Sequence, residues 1–313
     1  MKPGNQSVYA GPGVWLAPKE FNLTNVGYRS ALLTSLSDLR HMLRKNNQVC
    51  IDFSETQRMV ADGTLLFLAE LRRLIKHAKG KLVITCIPPK NDKVAQVLQQ
   101  INFYSLIGFT SDIIPKDEDV VNWRFAHGHK VEGERYEDVL SEYDGDIAIQ
   151  LQESLFTGIT EAMTNVLNHA YLIPRDDGTD ITNSREWWMF SQAKDGEITV
   201  AFLDLGAGIP RTLPLKKPDL WKKILLFGKR NDSRVIQYAV KDSISRTNES
   251  HRGKGLGQIA RVIDQVENGE MKILSNYGAL SRSNKVMRQK NYSDSIQGTL
   301  IYWNIPLPVK EAE

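Results

Sequence analysis

The chain has 313 residues, 41% of them hydrophobic and 25% charged, with a formal net charge of +3. That length allows two domains of ordinary size, and the composition is that of a folded globular chain rather than a disordered one. Basic and acidic residues are interspersed, which argues against a nucleic-acid-binding arm, and no apolar run approaches the ~20 residues that span a bilayer, so no membrane partner is expected.

The opening MKPGNQSVYAGPG lacks the apolar run of a signal peptide. Cys50 and Cys86 each sit in a strand-like apolar run and read as buried thiols, so no disulfide framework is expected and the predicted location is cytoplasmic. From Ser30 to Arg44 the apolar residues fall at helical spacing (Leu32, Leu33, Leu36, Leu39, Met42, Leu43). QVCIDFS, Gln48 to Ser54, reads as a short buried strand, and Thr64 to Lys79 as an amphipathic helix. KLVITCI, Lys81 to Ile87, is a second strand, closed by Pro88 and Pro89, which cannot continue a ladder. Asp92 to Leu106 is again helical. This alternation predicts a small α/β domain over residues 1–110.

Residues 111–146 turn polar and irregular and are expected to form a linker. A second domain, 147–313, opens with a long helix from Ile147 to Leu172. Strands follow at Trp187 to Lys194 and Ile198 to Asp204, then an excursion from Pro210 to Arg252 with helical stretches at Asp219 to Phe227 and Ser233 to Ser245. A helix after GKGLG and strands at Met271 to Asn276 and Thr299 to Ile305 complete it. The expected class is α+β: a sandwich with one mixed sheet and helices on one face.

Four segments of this second domain carry chemistry together. In ITEAMTNVLNHAY, Glu161, Asn165 and His169 stand at i, i+4 and i+8, along one helix face, with Ile159, Met163, Val166, Leu167 and Ala170 on the packing side. Asn165 has a carbonyl oxygen to offer a hard cation such as Mg2+, and Glu161, one turn away, has a carboxylate to polarise a water. A solvated polar stripe is the alternative for these residues taken alone. In DLGAGIP, Asp204 ends an apolar strand, where a carboxylate suits the exocyclic amine of adenine. Gly206 and Gly208 let the backbone turn sharply and approach a ligand closely. In RGKGLG, Gly253, Gly255 and Gly257 precede a helical run with Arg252 and Lys254 adding positive charge, an anion-binding pattern or an ordinary helix-entry turn. Fourth, Gly298-Thr299 enters the last strand, with a hydroxyl able to bond Asp204 or a water at the base.

The order helix with E-x-x-x-N, strand with D-x-G-x-G, long excursion, G-x-G-L-G, strand with G-T resembles the GHKL ATP-binding superfamily of gyrase, heat-shock chaperone, histidine kinase and mismatch-repair ATPases. The resemblance spans Ile147 to Leu307 and implies a Bergerat-type sandwich holding ATP or ADP with Mg2+. It implies Asn165 as the metal residue, Asp204 as the adenine residue, and Gly206, Gly208, Gly253, Gly255 and Gly257 as shapers of the pocket. Ile209, Leu256 and Thr299 join the nucleotide contacts, and residues 211–251 become an ATP lid. None of the six histidines is followed by Glu or Asp in a long dimerisation helix, which sets the histidine-kinase branch aside. TEAMTNVLNHAY looks most like the anti-sigma-factor serine kinases, with His169 near the phosphates or, alternatively, a structural imidazole.

The stretch QVCIDFSETQRMVADGTLLFLAELRRL resembles a STAS domain, which implies a protein partner. Where that fold carries a phosphorylatable serine this chain has Asp62 or Gly63, with Thr64 nearby, and Asp62 also reads as ordinary helix-capping chemistry. His127 and His129 read as solvated rather than metal-bound, and Trp187 and Trp188 as one ring on the core and one facing outward. Three functions stay open: a regulatory ATPase whose lid closure controls a partner, a serine/threonine kinase acting on a STAS partner, and an ATP-sensing module without chemistry. A homodimer is compatible with each.

Overall fold

The computed structural model describes residues 13–78, 80–141, 149–179, 181, 184–226, 231–245 and 255–307. The chain divides into two compact units, Met1–Trp123 and Arg124–Glu313. The segment expected as a linker is therefore not one. Its first part, with helix α5 (Glu118–Val121), packs on α3 (Asp92–Gln100) through Gln96, which accepts from the amides of Lys116 and Asp117. Its later part supplies β6 (Arg124–Gly128) to the large sheet of the second unit. Polar composition misled here because β6 is an edge strand, with one flank free of apolar demands.

In unit 1 the elements run β1 (Val14–Leu16), β2 (Glu20–Phe21), α1 (Val26–Lys45), β3 (Gln48–Asp52), β4 (Arg58–Met59), α2 (Ala61–His77), β5 (Val83–Ile87), α3, α4 (Phe103–Leu106) and α5. Strands β1, β3 and β5 form a parallel sheet in that order, and β2 pairs with β4. Asn25 caps α1 by accepting from the amides of Gly27 and Tyr28. Helix α2 departs from the amphipathic expectation: every residue from Ala61 to Leu71 is buried. Its Glu70 is tolerated there because Arg40 and Arg73 close on it at 3.1 and 2.7 Å. Cys50 and Cys86 are free and only half-buried, and burial first, then Cys50, pushes the Cys86 thiol up to about 11.

Asp62, buried in the first turn of α2, works as a clasp. Its carboxylate accepts from the Leu23 amide at 3.2 Å, the Thr24 hydroxyl at 2.9 Å and the Gly63 amide at 2.6 Å, tying the β2–α1 connection to the helix start. Gly63 must lack a side chain, since a Cβ there would stand 2.4 Å from the backbone of Phe21. Thr64 is 1% exposed.

Unit 2 contains β6, α6 (Glu137–Leu140), α7 (Ile149–Asn165), β7 (Trp187–Lys194), β8 (Glu197–Asp204), α8 (Ile209–Lys216), α9 (Pro218–Leu226), α10 (Asp232–Ser245), α11 (Gly255–Arg261), β9 (Glu270–Ser275), β10 (Gly278–Ser283), β11 (Val286–Asn291) and β12 (Thr299–Pro306). Its seven-stranded sheet has the order β11-β10-β9-β12-β8-β7-β6, and every pairing is antiparallel rather than mixed. The last strand, β12, inserts between β8 and β9, which run the same way and would otherwise pair in parallel. Two-residue turns with positive φ, Asp195-Gly196 and Asn284-Lys285, join β7 to β8 and β10 to β11.

Helices α7, α10 and α11 pack with the sheet in one core. The inward residues of α7 (Leu151, Leu155, Gly158, Ile159, Ala162, Met163) keep helical spacing, and Gly158 lets Val262 come within 2.8 Å of where a Cβ would be. The Trp303 indole is fully buried and donates to the Ile259 carbonyl at 3.1 Å, fastening α11 to β12. Trp187 and Trp188 are both buried, at 0% and 2% exposure, so neither ring faces outward: the central strands are buried on both faces. His127 and His129 are exposed, and the described residues contain no metal-holding group of three His, Cys, Asp or Glu. No described helix is long and apolar enough to cross a membrane.

Replacing Asp62 by Ala leaves the buried amides of Leu23 and Gly63 without their acceptor and releases the Thr24 hydroxyl, and the expected outcome is a loss of about 1–3 kcal/mol in unit 1, read by chemical denaturation.

Candidate functional site

A cleft of about 840 Å³, counting its open mouth, lies in unit 2 between α7, the strand ends and helices α8, α10 and α11. Asn165, His169, Asp204, Gly208, Ile209, Gly255, Leu256 and Thr299 all line it, so residues up to 134 positions apart in the chain meet in one place.

Helix α7 presents Glu161 and Asn165, and its last turn widens into a π-helical turn, Val166–Ala170. In a straight α-helix the residue four positions on lies about 40° past a full turn. The wider turn holds more residues and so changes the angular offset between Asn165 and His169. The Asn165 Nδ2 and His169 Nδ1 atoms are buried without a hydrogen-bond partner. Burial, followed by the charges of Lys216 and Lys217, lowers the pKa of His169 and favours its neutral form. Glu161 lies against Gly255, whose missing Cβ would stand 2.6 Å from the Glu161 Oε2 and 3.2 Å from the Asn165 amide. Burial raises the Glu161 carboxyl above its ordinary value, the direction that suits a base working near neutral pH.

Asp204 ends β8 in register with Thr299 of β12 and Trp187 of β7. Its Oδ1 accepts from the Gly206 amide at 2.8 Å, and the hydroxyl and amide of Thr299 also donate to the carboxylate. Thr299 in turn lies 3.1 Å from the Ser275 hydroxyl, which accepts from the Ile209 amide at 2.9 Å. Burial dominates these bonds and pushes Asp204 up to about 7. The walls around it, Phe202, Ile301, Ile209, Leu213 and Leu256, are apolar. Lys216 and Lys217 line the same cleft, and their charges act on His169.

The glycines divide by what they approach. Gly206 and Gly208 were expected to admit a ligand, but a Cβ on Gly206 would meet the Ala170 carbonyl at 2.4 Å and one on Gly208 the Asn276 amide at 2.5 Å. Their first service is to let the strand-end loop close onto the π turn, where the Ala207 amide donates to Ala170 at 2.7 Å and its carbonyl accepts from Asn276 at 2.8 Å. Gly257 packs on α10 and donates its amide to the Ser243 hydroxyl at 2.8 Å, so that N–H is not free for an anion. Gly208 and Gly255 are the glycines that line the cleft among the described residues. Arg252, Gly253 and Lys254 lie outside the described residues.

Sequence reasoning missed Ser275, Tyr171, Lys216 and Lys217. Tyr171 is buried, donates to the Glu186 carbonyl at 2.5 Å and accepts from the Leu205 amide at 3.2 Å, locking the end of the π turn to the sheet. A serine closing the apolar run of MKILSN, and the paired lysines ending IPRTLPLKK, were the available signals.

The donor set fits a magnesium nucleotide. Mg2+ takes few protein ligands and keeps phosphate and water oxygens, so one unpartnered amide, that of Asn165, meets its needs once the amide is turned oxygen-first. No protein-family model matches the chain, and no curated protein matches it.

Asp204 also makes a pH prediction. The folded state holds its proton more tightly than the unfolded chain does, so ionisation opposes folding: stability is whole below the ordinary carboxylate value near 3.8 and declines as pH rises through about 7. Asn at this position carries no charge at any pH. The thermal midpoint of Asp204→Asn, measured against wild type without ligand, should therefore be relatively higher at pH 8 than at pH 5.

Proposed function

We propose that the Arg124–Glu313 unit binds Mg-ATP and hydrolyses it slowly, as a regulatory ATPase of GHKL type whose lid controls a protein partner. The observation that carries this is a single cleft lined by the Asn165 amide, the Asp204 carboxylate, Gly255 and the Thr299 hydroxyl. Asp204 accepts from the exocyclic amine of adenine, and the apolar walls take the faces of the base. Asn165 offers its amide oxygen to the metal. Mg2+, when bound, neutralises phosphate charge and orients the terminal phosphoryl group. Glu161, with its raised carboxyl and its place beside Asn165 and Gly255, takes the proton of the attacking water. Helices α8, α9 and α10 form the lid between the two glycine strings, and unit 1 is the protein-binding arm by its STAS-like order of elements. Thr64 is buried, so the folded unit 1 is not itself a phosphoryl acceptor at the start of α2. That observation favours hydrolysis over modification within the chain.

Equilibrium titration and γ-labelled nucleotide test the reading. Wild type is expected to bind ATP in a Mg-dependent way and to release free phosphate. Label found on a partner protein instead would replace hydrolysis with the kinase reaction, and binding without either product would leave an ATP-sensing module. Asp204→Asn is expected to lower affinity by about 1–3 kcal/mol, the scale of a buried polar partner left unsatisfied; unchanged affinity removes the adenine assignment. Glu161→Ala should retain ATP binding and lose turnover, and surviving turnover would take the base role away from it.

A further inference from the structure

A triphosphate brings several negative charges into the cleft, and among the described lining residues the cations are Lys216 and Lys217, at the end of α8. The two lysines are not equivalent. Lys216 is exposed. The Lys217 side chain is 28% exposed and already committed: its Nζ stands 2.8 Å from the Asp242 Oδ2 of α10, a carboxylate 16% exposed. One residue further on, Ser243 accepts the Gly257 amide that seats α11 against α10. The lysine–aspartate pair therefore joins the helix that follows the first glycine string to the helix that packs on the second.

We infer that Lys217 is an exchangeable cation, held by Asp242 of α10 without nucleotide and drawn off by the polyphosphate of a bound nucleotide. This rests on the nucleotide reading above and adds a regulatory step to it. The exchange is favourable because a phosphate chain offers more negative charge than one carboxylate, while the lysine keeps part of its surface in solvent and its stem is flexible enough to re-aim without moving α8. Releasing Asp242 removes one polar tie between α8 and α10, which stay packed through Leu213, Val235 and Ala239, so phosphate occupancy changes how the lid helices are joined. Asp242 then competes with the ligand, and its charge lowers affinity for phosphate-bearing nucleotides alone.

The test is calorimetric titration of the full chain with Mg-ATP and with adenosine. Asp242→Asn should bind Mg-ATP about three- to fivefold more tightly, with adenosine affinity unchanged. Lys217→Gln should weaken Mg-ATP by about tenfold, again sparing adenosine, and the double variant should match Lys217→Gln. An Asp242→Asn protein with unchanged or weaker Mg-ATP binding overturns the exchange, as does an equal shift for adenosine. Should Asp242→Asn fail to fold, Lys217→Arg against Lys217→Gln decides: retention by Arg with loss in Gln supports the exchange, and wild-type affinity in both removes it. Wild-type protein that binds no Mg-ATP defeats the nucleotide reading first, and the exchange with it.

Discussion

A carboxylate stripped of water at the end of a central strand is held only by what surrounds it, and Asp204 sets the terms for the rest of unit 2. Burial alone drives it toward the neutral acid; the Gly206 amide and the Thr299 hydroxyl and amide pull it back. Those donors exist because β12 inserts beside β8 in a register that sets Thr299 opposite Asp204. Gly206 reaches the carboxylate because the strand-end loop presses onto Ala170 with no side chain between them.

The other end of the cleft is organised by a defect in a helix. The π-helical turn that follows α7 interrupts regular α-helical hydrogen bonding, and polar atoms of Asn165 and His169 beside it are buried without protein partners. Tyr171, anchored to the Glu186 carbonyl and the Leu205 amide, holds the distorted turn in place. Unpaired polarity kept at one spot beside a rigid sheet is a feature that a ligand can satisfy and that a stable core has no use for. The cleft thus has a carboxylate set in apolar walls and, beside its imidazole, a pair of ammonium groups.

In unit 1 the charged groups serve the fold. Asp62 clasps the β2–α1 connection, and Glu70 sits between Arg40 and Arg73 inside a helix buried on every side. The position at which a resemblance to STAS domains placed a modifiable hydroxyl is closed to solvent, because the first turn of α2 is the part packed most tightly against Phe21.

What the sequence determined by itself was local. Helical spacing marked α1, α2, α7 and α10, apolar runs marked β3, β5, β7, β8 and β12, and the strings around Asn165, Asp204 and Gly255 marked the chemistry, since period and glycine content act over a few residues. The hairpin β10–β11 and the helix α8 escaped it: β11 is an exposed edge with a polar pattern, and α8 contains Pro214. Only the tertiary structure decided that β12 lies between β8 and β9, that both tryptophans are buried, and that residues 124–128 join the large sheet. It alone decided that Gly206 and Gly257 serve protein contacts and that Lys217 pairs with Asp242 of α10. Each of these depends on which distant segments come to lie side by side, and pairing across a sheet or between helices leaves no periodic trace in the order of residues along the chain.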